Sequence, residues 1–234
     1  MVTTRRPGRP PELMAALRRV TGDEKHEPAA LSTVDVLWAL YDRVLRVDPD
    51  RLDDPERDRF LLSKGHGPAA YYAVLAAKGF FPAGWLDDLA GPDSRLGHHP
   101  DRLLVPGVEI SSGSLGHGLG LGVGTVLGLR AQGLTTPHVY VLVGDAELDE
   151  GSNHEAIAFA GATALDRLTV VVIDNQSATY GWPGGIASRF TVNGWTMSIV
   201  DGRNHDEIAA AFRHRPPSGP HVVVARVEPK FETE

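Results

Sequence analysis

The sequence predicts a doubly wound α/β architecture, a mostly parallel sheet flanked by helices, and three observations carry that prediction. Short apolar, β-branched runs recur at 139–143, 169–173, 196–200 and 222–227. Their hydrophobicity is continuous rather than alternating, as expected for strands buried on both faces. Helical stretches at about 153–164 and 206–212 lie between them, which suits crossover connections in a parallel sheet.

Taken in chain order, residues 1–11 are rich in Pro and Arg and read as a disordered tail, with 12–234 as a single domain. A short amphipathic helix is expected over 12–20. Ser32 reads as the N-cap of a stronger helix, with Asp35 three residues on. Leu37, Leu40, Tyr41, Val44 and Leu45 line one face of it, and Asp48-Pro49 stops it. A strand is expected near 60–62, and a third helix over 69–78 ending at Gly79. The segment 81–118 is dense in Gly, Pro and His and reads as a long ordered loop.

Composition narrows the function. The 234 residues carry 23 Lys+Arg against 30 Asp+Glu, a net charge of −7. An acidic balance argues against nucleic acid or an anionic membrane as the partner. There is no cysteine, which excludes disulfides, thiolate metal sites and a cysteine nucleophile. The chain has no apolar run of the ~20 residues that a membrane span needs. The basic start (Arg5, Arg6, Arg9) has no apolar stretch behind it, so the expectation is a cytoplasmic protein.

In such sheets ligands sit beyond the carboxyl ends of the strands. Gly144-Asp145-Ala146 follows one strand, with Glu147, Asp149 and Glu150 close behind, and Asp174-Asn175-Gln176-Ser177 follows the next. Asp145 and Asn175 are 30 residues apart, one βαβ unit, so their side chains can emerge together. A carboxylate and an amide oxygen there suit Mg²⁺ or Ca²⁺ that also grips a ligand's phosphates. A helix cap at Asp145 and a turn at Asn175 would explain the same residues. The glycine run 113–124 fails the G-x-G-x-x-G spacing. It leaves two readings: a phosphate-binding loop entering a helix, or a helix packed so closely that only glycine fits. Both His-Glu pairs, His26-Glu27 and His154-Glu155, lack the second histidine of a zinc-protease helix, with Ala30 and Ala158 in its place. Histidines in Gly-rich loops, His66, His98, His99 and His117 among them, point to phosphate or sugar hydroxyls.

Together these segments resemble transketolases. Arg57-Asp58-Arg59-Phe60-Leu61-Leu62-Ser63-Lys64-Gly65-His66 resembles their R-D-R-F-x-L-S-K-G-H segment. His99-Pro100-Asp101, Pro106-Gly107-Val108-Glu109 and Gly113-Ser114-Leu115-Gly116 are similar to the run that follows it, and Gly144-Asp145 to Gly151 with Asn175 to their thiamine diphosphate motif. The resemblance covers about residues 20–210 and its length fits the N-terminal subunit of two-component transketolases. It implies the thiamine diphosphate-binding fold in its pyrophosphate module. It also implies Mg²⁺ (or Ca²⁺) held by Asp145, Asn175 and the Ser177 carbonyl. Gly113, Ser114, Leu115, Gly116, Gly144 and Ala146 would line the cofactor, and His66 would contact its diphosphate. His26 and His99 would meet donor-sugar hydroxyls, and Glu150 would join an acidic network between the halves of the site.

The implied activity is transfer of a two-carbon ketol unit from a small-molecule ketose donor. The partner, a second chain in an α2β2 arrangement, would carry the pyrimidine-binding module and the activating glutamate, so this chain alone would be inactive. Five departures stand out: Ala146 in G-D-G, His117 for Gln, Glu27-Pro28 after His26, Arg203 for the histidine of D-G-H, and Val227-Glu228-Pro229-Lys230-Phe231 for a K-G-K-G motif. They leave room for transfer to a lipoyl or carrier-protein thiol in a specialised pathway, or for a non-catalytic cofactor-binding paralogue.

Overall fold

The computed structural model describes residues 8–23, 27–214, 216 and 218–230. Five strands, β1 (Arg59–Leu62), β2 (Val139–Gly144), β3 (Leu168–Asp174), β4 (Thr196–Asp201) and β5 (His221–Arg226), form one sheet in the order β1-β2-β3-β5-β4. Every pairing is parallel. Among the described residues seven α-helices accompany the sheet: α1 (Pro11–Arg19), α2 (Glu27–Arg43), α3 (Ala69–Ala77), α4 (His117–Ala131), α5 (Gly151–Ala162), α6 (Ile186–Thr191) and α7 (His205–Arg213). No helix of the described residues is long and apolar enough to cross a membrane.

Alternation along each strand splits the core into two layers, because successive side chains point to opposite faces. Tyr140 and Leu142 of β2 join Val171, Ile173, Val223 and Ala225 in the layer under α2, α3 and α7, with Trp38, Tyr72 and Phe212. Val139, Val141 and Val143 join Val170, Val172, Val222 and Val224 in the opposite layer, with Leu119, Ile157 and Phe190 from α4, α5 and α6. This is why β2, β3 and β5 read as unbroken apolar runs. The edge strand β4 differs from the sequence reading, with Met197 41% and Ile199 44% exposed, because it has only one neighbour in the sheet.

Several boundaries differ from the sequence reading. Helix α2 begins at Glu27, so Ser32 lies inside it, 5% exposed, and is not its cap. Pro28 in the first turn explains the earlier start, since proline is tolerated where the N–H has no intrahelical partner. Thr33 Oγ1 back-bonds to the Ala30 carbonyl at 2.8 Å. Helix α1 opens at Pro11, inside the stretch read as tail. Arg9 is already fixed there, donating from Nη2 to Asp35 Oδ2 at 2.9 Å, while 1–7 lie outside the described residues. The long loop contains a 3-10 turn, Ala83–Asp88, and ends where α4 starts at His117. Helix α6 has no counterpart in the sequence reading.

Asp35 ties the helical layer together. It accepts from Arg9, from Arg203 Nη1 at 2.9 Å and from His205 Nε2 at 3.0 Å. Burial alone would raise its carboxyl. The hydrogen bonds from His205 and Arg9 and the two guanidinium charges hold it well below the ordinary carboxylate value.

Candidate active site

The carboxyl ends of β1, β2 and β3 converge on one edge, where the parallel register sets the positions. Gly144 pairs with Ile173, and the Asp145 N–H continues the ladder to the Ile173 carbonyl at 3.1 Å. Asp145 and Asn175 therefore leave adjacent strands just past their ends. Both are 2% exposed.

The Asp145 carboxylate is fully engaged. Oδ1 accepts from Ala146 N at 2.8 Å and Ser177 Oγ at 2.6 Å; Oδ2 accepts from Ser177 N at 2.7 Å and Ala178 N at 3.3 Å. Asn175 Oδ1 is the opposite case, buried with no hydrogen-bond partner. An orphaned buried amide oxygen costs free energy unless something outside the chain satisfies it. Asn175 and Asp145 together thus fit a hard divalent cation, the chemistry of the donor set agreeing with the geometry. Ser177 turns its N–H and hydroxyl toward Asp145.

A second carboxylate organises the neighbouring side. Chain reversal in the 3-10 turn Ala146–Asp149 swings Glu147 inward, to 1% exposure. Its Oε1 accepts from the Ser63 hydroxyl and from Gly116 N at 2.9 Å, and its Oε2 from Gly144 N at 3.1 Å. Ser63 Oγ in turn accepts from Gly118 N at 3.0 Å. One side chain thus joins the end of β1, the start of α4 and the end of β2. Burial pushes the Glu147 carboxyl above its ordinary value, against the hydrogen bonds from Ser63, Gly116 and Gly144, which favour the ionised form. Half-buried Lys64 lies across Gly144, where a Cβ would come within 3.2 Å of the Lys64 Cδ. Burial lowers its ammonium to about 8, with Glu147 opposing and the Lys230 charge adding to the fall.

Close packing accounts for several positions of the glycine run. Gly116 has φ 85°, and a Cβ there would meet Glu150 Cβ at 2.7 Å. Gly118 and Gly122 are packing positions: a Cβ would come within 2.3 Å of Ser63 Cβ and 2.5 Å of Val141 Cγ2 respectively. The Gly113 turn, φ 140°, lies against the His99 ring, whose Cγ a Cβ would reach at 2.9 Å. His99 Nδ1 sits 3.1 Å from the Gly65 carbonyl, and the His66 and His99 rings meet edge to face at 4.9 Å. Ser114 is exposed and Leu115 and Ala146 are half-buried between these groups. Exposed Glu150 stands at the rim beside Gly116, whose carbonyl accepts from Ser152 Oγ at 2.8 Å. His26 lies outside the described residues.

The structure thus brings His66, His99 and Gly113 together, and joins them through Gly116 and Glu147 to Gly144 and Asp145. Sequence reasoning missed the part played by Glu147, Ser63 and Lys230. Glu147 is visible in the sequence only as one of three acids after Asp145, and the 3-10 turn decides which of them points inward. Lys230, in place of the expected glycine motif, donates from its backbone N–H to the Asn175 carbonyl at 2.8 Å, so a basic residue still stands at this edge.

Residues 19–221 match the family model described as transketolase, thiamine diphosphate binding domain. A Rhodococcoides fascians protein named ferredoxin fas2 is 55% identical over 216 residues, covering 92% of this chain and 71% of that protein. This chain has no cysteine, so it offers no thiolate ligand for an iron–sulfur centre. An apulose-4-phosphate transketolase subunit from Actinobacillus succinogenes is 38% identical over 207 residues, covering 86% of this chain and 75% of that one. A crystallised transketolase variant from Pichia stipitis superposes with a TM-score of 0.72 at 26% identity, over 92% of this chain but only 36% of that one.

Proposed function

The chain belongs to the transketolase family through its thiamine diphosphate-binding domain, and from that membership we propose that it is the pyrophosphate-binding subunit of a two-chain enzyme transferring a two-carbon ketol unit. The observation that carries the reading is the buried, partnerless Asn175 Oδ1 beside Asp145 at the carboxyl edge of the sheet. Asp145 and Asn175 would hold Mg²⁺ or Ca²⁺ against the cofactor's phosphates. The backbone of Gly113, Ser114, Leu115 and Gly116, with Gly144 and Ala146, would line the diphosphate. Thiamine diphosphate, when bound, supplies the carbanion chemistry for breaking and making a carbon–carbon bond beside a carbonyl.

The residues of this chain then bind, orient and exchange protons. In neutral His99, donation from Nδ1 to the Gly65 carbonyl leaves Nε2 as an acceptor for a sugar hydroxyl. His66 lies edge-on to it and would face the diphosphate, with His26 as a further contact to the donor sugar. Glu150, exposed at the rim, would meet the acidic network of a second chain that brings the pyrimidine module and the activating glutamate. The Actinobacillus relative is named as one subunit of its enzyme, which supports such a partner, and we place the two in an α2β2 enzyme of the cytoplasm. The 4-phosphate in that relative's name supports a phosphorylated sugar as donor.

The test uses the full chain with the partner that co-purifies with it. Thiamine diphosphate binding, followed by calorimetry, is expected to require Mg²⁺ and to be lost in D145N. The complex is expected to pass a two-carbon unit from a phosphorylated ketose to an aldose. Binding indifferent to Mg²⁺ would overturn the cation assignment. Tight binding with transfer only to a carrier thiol would overturn the aldose acceptor.

A further inference from the structure

The four hydrogen bonds on Asp145 raise a question of occupancy. An ionised carboxylate offers about four lone-pair positions. Here Ala146 N, Ser177 Oγ, Ser177 N and Ala178 N use them all. A cation held by Asp145 needs at least one of these positions back. The donor that leaves must be the one whose departure disturbs least.

Three of the four are backbone N–H groups. Ala146 is fixed by the 3-10 turn that follows it. The Ser177 and Ala178 N–H groups are aimed by the turn at Gln176, a non-glycine residue at φ 54°, and move only if that turn unwinds. The Ser177 hydroxyl is different, since it leaves by rotation about one side-chain bond with the main chain in place. It occupies Oδ1 at 2.6 Å, while the amide oxygen of Asn175, two residues earlier, stands unpartnered. The geometry points to Ser177 as a hydroxyl latch on the cation site, donating to Asp145 until a divalent cation displaces it, and so setting how tightly the cation is held. This rests on the assignment of Asp145 and Asn175 as cation ligands. It makes Ser177 a positioning residue through its side chain.

The test counts bound cation, without any catalytic readout. Mn²⁺ serves as the probe, since it prefers the same oxygen donors. Free Mn²⁺ is followed by electron paramagnetic resonance as it is titrated into the full chain without cofactor. S177A is expected to bind Mn²⁺ about tenfold more tightly than the parent, equivalent to ~1.4 kcal/mol. S177T, which restores the hydroxyl, is expected to return the affinity to within about twofold of the parent. D145N is expected to bind none at this site. Equal or weaker binding by S177A, or an S177T affinity that follows S177A, would overturn the latch while loss in D145N upholds the site beneath it. Parent and D145N binding alike would overturn the cation site itself. Thermal unfolding of each variant shows whether it is folded, and an S177A that unfolds together with S177T would mark Ser177 as structural and end the proposal.

Discussion

Asp145 and Glu147, separated in the chain by a single alanine, organise the two sides of this site, and they do so in opposite ways. Glu147 is the centre of a closed network: Ser63, Gly116 and Gly144 all donate to it, and each comes from a different element. Asp145 faces the loop 176–185, which is exposed from Thr179 to Gly185 and holds glycines at φ 82° at Gly184 and Gly185. Beside it Asn175 keeps a buried oxygen without partner. The first side is complete within the chain. The second leaves the Asn175 oxygen unsatisfied. Under the proposed function the closed side would serve as the preorganised cradle and the open side as the place where a cation enters and leaves.

The sharpest way to break the comparison is E147A. It strands three buried donors at once and removes the anion that opposes the lowering of Lys64, so we expect a loss of ~3–5 kcal/mol in urea unfolding. A loss under ~1 kcal/mol would show that the closed side is not closed. G118A comes next, because its Cβ would strike Ser63 at 2.3 Å; a loss of ~2–3 kcal/mol is expected. Two residues on, G120A meets nothing within 4 Å and should stabilise α4 by ~1 kcal/mol, the opposite sign in the same helix. On the open side, N175A should change stability by less than ~1 kcal/mol, since its side-chain carbonyl makes no bond to lose, yet abolish cation-dependent cofactor binding. A thermal shift as large as that of E147A would erase the contrast.

Lys64 supplies a subtler check by pH. Its ammonium is lowered to about 8 in the folded chain, whereas an unfolded lysine titrates near ~10.4. Between these values the unfolded state binds the extra proton, so stability rises as pH rises from about 8 toward ~10.4 and is flat below that window. Urea midpoints measured across pH 7–10.5 should show this rise in the parent and lose it in K64M.

Much of this is legible in the sequence. The runs at β2, β3 and β5 name the sheet because burial on both faces leaves no room for alternation, whereas β4 is half exposed at its edge. The residues after β2 and β3 name Asp145 and Asn175 because parallel strands end at the same edge. The loop histidines and the glycine run draw attention to the surface at that same edge. The start of α2 escapes the sequence because a serine with an acid three residues on looks like a cap wherever it stands, and only the packing of Ser32 shows that the helix is already under way. Helix α6 is too short to leave a periodic signal.

What the sequence determined by itself was therefore the class of fold and the position of its chemical edge, since both follow from which residues are apolar and where the apolar runs stop. What only the tertiary structure decided was the wiring at that edge. Which of three neighbouring acids turns inward, which glycines meet a neighbour, and which face of Ser177 meets Asp145 all depend on contacts between segments 32 to 84 residues apart in the chain. No local pattern encodes such contacts, because each is set by the register of strands that the whole core must fix first.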